Sequence, residues 1–175
     1  VTDAHRPWTR LAVASMGAHV CYELAAGMAM PLSSVAGPAP AAAVWVTGTA
    51  CSHLAAGRRG HHSDRLFAVM NGLFLWATAA HFIYWPTRWT GGVPYLLECE
   101  GMRGRVVGPY NGILYVSAVA AALGLVENRR AGLLGAAVPL VVVPALLRIQ
   151  RIEFRRLRAQ AHRNPAWWNR RLQGR

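Results

Sequence analysis

The sequence predicts an all-α protein: a polytopic membrane helix bundle of about five transmembrane helices, followed by a basic amphipathic C-terminal helix. Three observations predict it. The 175 residues are 54% hydrophobic and only 15% charged, an apolar balance for so short a chain. Asp, Glu, Lys and Arg are absent from four long stretches, residues 24–57, 66–87, 106–126 and 131–147, and about 20 apolar residues are what a helix needs to cross the hydrocarbon. The formal charge of +12 is carried entirely by Arg, 19 against seven acids, and it gathers in turns and in the tail. A nucleic-acid-binding domain would spread it over one face, so no nucleic-acid partner is expected.

The first span is expected at 11–30, ending at Pro31, and is read as retained because no small-residue cleavage site follows it. The second, 41–56, stops at Gly57-Arg58-Arg59-Gly60, and the third, 66–85, stops at Pro86. The fourth, 110–126, ends at Glu127-Asn128-Arg129-Arg130. The fifth, 131–147, contains Pro139 and Pro144, which kink but do not forbid a helix in lipid. The division is then a bundle at 1–147 and a membrane-surface tail at 148–175. In that tail Ile149, Ile152, Leu157 and Ala161 alternate with Arg151, Arg155, Arg156 and Arg158, a pattern suited to anionic lipid headgroups, and Trp167-Trp168 falls where an aromatic interface anchor is expected. Five spans put seven Arg on the N-terminal side and twelve on the tail side, so the positive-inside rule places the tail in the cytoplasm of a multi-pass cell-membrane protein. Re-entry of one segment would leave four spans. Cys21, Cys51 and Cys99 form no C-x-x-C pair and read as small apolar fillers.

Polar side chains inside a bilayer are costly and mark sites. At a rise of about 1.5 Å per residue, Glu23 lies about 18 Å from the N-terminal side, His81 about 22 Å, Trp45 and Thr49 about 18–24 Å, and Tyr115 about 22 Å, with Asn111 nearer the mouth. His19–Glu23, Trp45–Thr49 and Asn111–Tyr115 are i,i+4 pairs, each lying on one helix face. Glu23, His81, Asn111 and Tyr115 are the candidate catalytic groups. Candidate substrate contacts are His19, Trp45 and Thr49, Tyr84 and Trp85 at the border, and Glu98, Glu100 and Arg103 in the loop 86–109 that covers the mouth. The bland alternatives are a structural Glu23 bonded to His19, belt aromatics at Tyr84 and Trp85, and loop charges that pair with one another. By the same arithmetic His19, His53 and His81 lie at about 13, 6 and 22 Å, so no bis-His haem pair is expected, and His61, His62 and Asp64 lack a fixed ligand spacing. No metal or cofactor is expected. A carboxyl in an apolar pocket can stay protonated and protonate an alkene or epoxide, while aromatic faces stabilise the developing cation.

The pair Tyr22-Glu23 with Pro31 eight residues on, Trp45 in the next span, and the order Asn111, Ser117, Arg129, Arg130, Gly135 resemble the integral-membrane terpene cyclases of fungal and actinobacterial meroterpenoid pathways. Gly48 and Thr49 stand where that family carries an acid. The resemblance implies proton-initiated cyclisation of an isoprenoid-like substrate with Glu23 as the acid. The tail segment Arg151-Ile152-Glu153-Phe154-Arg155-Arg156-Leu157, with Trp168 and Arg171, is similar to that of isoprenylcysteine carboxyl methyltransferases, which implies S-adenosylmethionine as cofactor. A third reading has no catalysis. Ala118, Ala122, Gly124, Gly132 and Gly135 permit close helix packing, as in a homo-oligomer or a subunit of a larger membrane complex.

Overall fold

The structure is a computed structural model, and it describes residues 6–58 and 63–174. Five long helices are present among them: α1 (Pro7–Ala26), then after a single turn α2 (Ser33–Ala36), α3 (Pro38–Ala56), α4 (Asp64–Tyr84), α5 (Val107–Glu127) and α6 (Gly132–Arg163). Three of them, α4, α5 and α6, are long and apolar enough to cross a membrane. The expected count of about five is not reached by that measure. Arg10, His19 and Glu23 lower the apolar character of α1, and Thr47, Gly48, Thr49, Ser52 and His53 that of α3. The expected tail 148–175 begins inside α6. α6 runs unbroken through Pro139 and Pro144 into the basic stretch as one 32-residue helix.

The expected loop 86–109 is built from two hairpins. β1 (Thr87–Thr90) pairs antiparallel with β2 (Val93–Leu96) around Gly91-Gly92, and β3 (Glu98–Cys99) pairs with β4 (Met102–Arg103) around Glu100-Gly101. All four turn residues have positive φ, the backbone of a type I′ turn. Glycine takes that conformation without a steric cost; Glu100, at φ 48°, does not.

α1 packs along α5 and carries α3 on its other flank, while α4 packs against both α5 and α6. α4 and α6 approach closely at their glycines. A Cβ on Gly72 would lie 1.9 Å from the Gly135 carbonyl oxygen, so both glycines are needed for that crossing. At the N-terminal end of α1 no side chain of its own caps the helix. Glu127 at the end of α5 does so instead, accepting from the backbone N–H groups of Trp8 (2.7 Å) and Thr9 (2.8 Å) and from the Thr9 hydroxyl (2.9 Å). Beside it the buried Arg6 pairs with Asp64 at 2.6 Å, and Asn71 and Asn128 both donate to Thr9 Oγ1. This polar latch ties α1, α4 and α5 together at one end.

At the other end α1 stops at Gly27, which is left-handed (φ 85°), with the Gly27 N–H bonded to Leu24 O and the Met28 N–H to Glu23 O. The chain after Arg163 folds back onto this stop. Ala29 N donates to Trp168 O, Arg171 N to Gly27 O, and Arg171 Nε to Ala26 O. A Cβ on Gly27 would meet Arg170 Cγ at 2.7 Å, so glycine is required here for both conformation and space. Trp168 packs on the cluster of Ala29, Leu157, Ala161 and Leu172, whereas Trp167 is exposed.

Candidate functional site

Three helices deliver polar side chains to one buried cluster. His19 and Glu23 are one turn apart on α1, His81 comes from the last turn of α4, and Tyr110 from the first turn of α5. All four are buried. Glu23 Oε1 lies 2.9 Å from His19 Nε2 and accepts from the Tyr110 hydroxyl at 2.6 Å. His81 Nε2 is 3.9 Å away. The Tyr110 hydroxyl is also 3.1 Å from His19 Nε2. The His19 and His81 rings meet edge to face with centroids 4.9 Å apart, and Tyr22 stacks on Tyr110 from outside.

The hydrogen bonds fix the protons on His81. A backbone carbonyl can only accept, so the 2.7 Å contact to Ala77 O places a proton on Nδ1. In the neutral ring Nε2 then carries the lone pair, and it points toward Glu23. His19 differs, because its Nδ1 is buried with no hydrogen-bond partner among the described residues.

His19, Glu23 and His81 form one wall of a cavity of about 290 Å³. The rest is mostly apolar: Met16, Val20, Met30, Trp45, Trp76 and Phe154 among others. Glu100, Gln150 and Glu153 close one side. Among the described residues no arginine lines it. Burial, then the nearby Glu23 carboxylate, push the Glu100 carboxyl up to about 8, against a partial offset from its hydrogen bond with Gln150. Glu100 is held in place by its turn, where a Cβ on Gly101 would come within 2.5 Å of Arg171 O in the folded-back tail. The floor segment holds positive φ at the non-glycine residues Ala29 and Leu32, and backbone strain of this kind concentrates at binding sites.

Several expected site residues meet here. Glu23, His19, His81, Trp45 and Glu100 all line the cavity, with Trp45 anchored by Nε1–H to Pro31 O at 3.1 Å. Depth arithmetic separates His19 from His81; the structure brings them into contact. α1 begins at Pro7, earlier than expected, so His19, Glu23 and His81 stand about 18, 24 and 26 Å along their helices, and side-chain length closes the remainder. The other expected residues do different work. Asn111 Oδ1 accepts from Leu96 N, and its Nδ2 donates to Leu96 O and Val107 O. The Tyr115 hydroxyl donates to Pro94 O. Both pin the first hairpin to α5 and leave the cavity to others. Thr49 packs against Gly17 at the α1–α3 contact. Tyr84 and Trp85 line an adjoining pocket of about 250 Å³, Tyr84 under the Arg151 guanidinium and Trp85 edge-on to Phe154. Glu98 and Arg103 pair with each other at 2.6 Å across β3 and β4. His61 and His62 lie outside the described residues, and Asp64 belongs to the latch.

Tyr110, Gln150 and Glu153 are additions from the structure. Tyr110 has a signal in the sequence: the buried stripe Ser117, Ala121, Gly124 on α5, followed back through Leu114, arrives at Tyr110. Gln150 and Glu153 lie in a stretch that composition assigns to the membrane surface. No family model, no curated protein and no solved structure matches the chain.

Proposed function

We propose that the chain is an integral-membrane enzyme that cyclises or isomerises a lipophilic, isoprenoid-like substrate by giving it a proton and taking one back. In this reading α1 and α3 complete a five-helix membrane bundle around the three apolar helices, with the Arg-rich tail at the cytoplasmic face.

The observation that carries the reading is the pairing of Glu23 with a His81 whose Nε2 holds a lone pair 3.9 Å away, both on the wall of an apolar cavity. The proton between His19 and Glu23 is delivered to an alkene or epoxide. The Tyr110 hydroxyl, 2.6 Å from Oε1, steadies the carboxylate left behind. Trp45 and Trp76 line the cavity, and their aromatic rings would stabilise the developing cation. His81 Nε2 then removes a proton from the cation, and its short gap to Glu23 returns that proton to the pair. No proton is gained or lost over the cycle. Among the described residues the lining holds no arginine, which favours a neutral substrate over one carrying a phosphate.

The test is turnover of prenylated aromatic or epoxidised isoprenoid substrates in deuterated water. Glu23→Gln should lower the rate by about 10²–10⁴-fold, the usual range for loss of a general acid, and product from the wild type should carry deuterium. Full activity in Glu23→Gln, or first-turnover product free of deuterium from enzyme equilibrated in deuterated water, overturns the reading.

A further inference from the structure

We propose that His19, Glu23 and His81 form a binding site for a divalent transition-metal cation of the zinc class. One donor atom from each lies within 4.8 Å of the other two, with His19 Nε2 and His81 Nε2 at 2.9 and 3.9 Å from Glu23 Oε1. Donors held about 2.0–2.1 Å from a tetrahedral ion lie about 3.3 Å from one another, so movements on the order of 1 Å close the site. Two imidazoles and one carboxylate are a ligand set that leaves a position open for water or substrate. Here that position faces the cavity, because all three residues line it.

Two further features point the same way. The Nδ1–H of His81 donates to Ala77 O at 2.7 Å, the outer-shell bond that orients a ligating imidazole and frees Nε2 for the ion. His19 is 4% exposed yet has a ring nitrogen without a partner among the described residues. That spare nitrogen can take up the proton that Nε2 must give up to an ion, as a change of tautomer within the ring. The three donors come from two helices, α1 and α4, whose positions are set by α5 and α6, so the site is held by the bundle and not by a loop.

This assignment rests on donor geometry and hydrogen bonding, not on the substrate reading, and a bound ion would displace the proton shuttle. The ion and the shuttled proton compete for the same atoms. The experiment uses the untagged full chain in detergent, titrated with Zn²⁺ by calorimetry and with Co²⁺ by visible absorption. The wild type should bind one ion per chain, with d–d bands of a four- or five-coordinate Co²⁺. His81→Ala and the near-isosteric Glu23→Gln should each weaken binding by about 100-fold or more, beyond the 10–100-fold of an outer-shell loss. A chain with both His61→Ala and His62→Ala should bind as the wild type does. Circular dichroism of each variant shows whether it keeps its fold, and the pair of ligand variants keeps the test valid if one of them does not. No binding by the wild type, equal binding by both folded ligand variants, or loss confined to the His61/His62 variant overturns the proposal.

Discussion

Replacing Gly72 by alanine tests the α4–α6 crossing, on which the cavity depends. The added Cβ would lie 1.9 Å from Gly135 O and 2.9 Å from Pro139 Cγ. A carbon–oxygen contact settles near about 3.3 Å, so the two backbones must part by roughly 1.4 Å. Alanine is the better helix former by about 1 kcal/mol, while overpacking costs about 1–3 kcal/mol and more where backbone must move. Clash outweighs propensity because the obstructing atom is a carbonyl oxygen and not the end of a flexible side chain. The expected net loss is about 2 kcal/mol, the upper overpacking cost less the propensity gain. Gly112 on α5 provides the control, since a Cβ there meets nothing within 4 Å, and Gly112→Ala should gain up to about 1 kcal/mol from propensity. The assay is denaturant unfolding in mild detergent followed by far-UV circular dichroism. Because α4 carries His81 and α6 carries Gln150 and Glu153, Gly72→Ala should also lower Zn²⁺ affinity and turnover. If both alanine variants unfold within about 0.5 kcal/mol of each other, the size of an ordinary surface substitution, the close crossing is refuted.

Two further outcomes are expected. Glu127→Ala removes the borrowed cap of α1 and three accepted hydrogen bonds; it should cost about 1–3 kcal/mol, visible as early loss of protection of the Trp8 and Thr9 amides in hydrogen exchange. Glu100 has a folded-state value of about 8 against 4.5 when free. The folded chain therefore holds the extra proton between those values, and wild-type stability should fall as pH rises from about 4.5 to 8. Each pH step of one across that window is worth about 1.36 kcal/mol at most, and Glu100→Gln should flatten that slope in melting curves taken across the window. A slope unchanged in Glu100→Gln would place the titration elsewhere.

Helix identity is legible in the sequence because charge spacing and terminal Pro, Gly and Arg residues act locally. The five long helices lie within a few residues of their expected places, apart from the extension of α6. Glu23, His19 and His81 are legible as a candidate cluster because a charge or imidazole among apolar neighbours is expensive wherever the helix packs. Asn111 and Tyr115 carry the same signal and prove to be hairpin anchors, since a polar group inside a bundle needs a partner and a loop backbone serves as well as a substrate. The turn Glu100-Gly101 is readable only as a charged loop.

By itself, then, the sequence determined what each segment can be: apolar helices α4, α5 and α6, the more polar α1 and α3, a basic end, and a few acids costly enough to need partners. Tertiary structure alone decided which of those groups meet. The small-residue contacts of Gly124 with Asn71 and Gly72 with Gly135 set the distances between helices, and those distances bring Tyr110 and His81 onto Glu23. The tail shows the same division. Its arginines are written in composition, but its return over Gly27 follows from backbone hydrogen bonds between residues more than 130 apart. Such bonds depend on how the whole bundle packs, and no local pattern of residues encodes them.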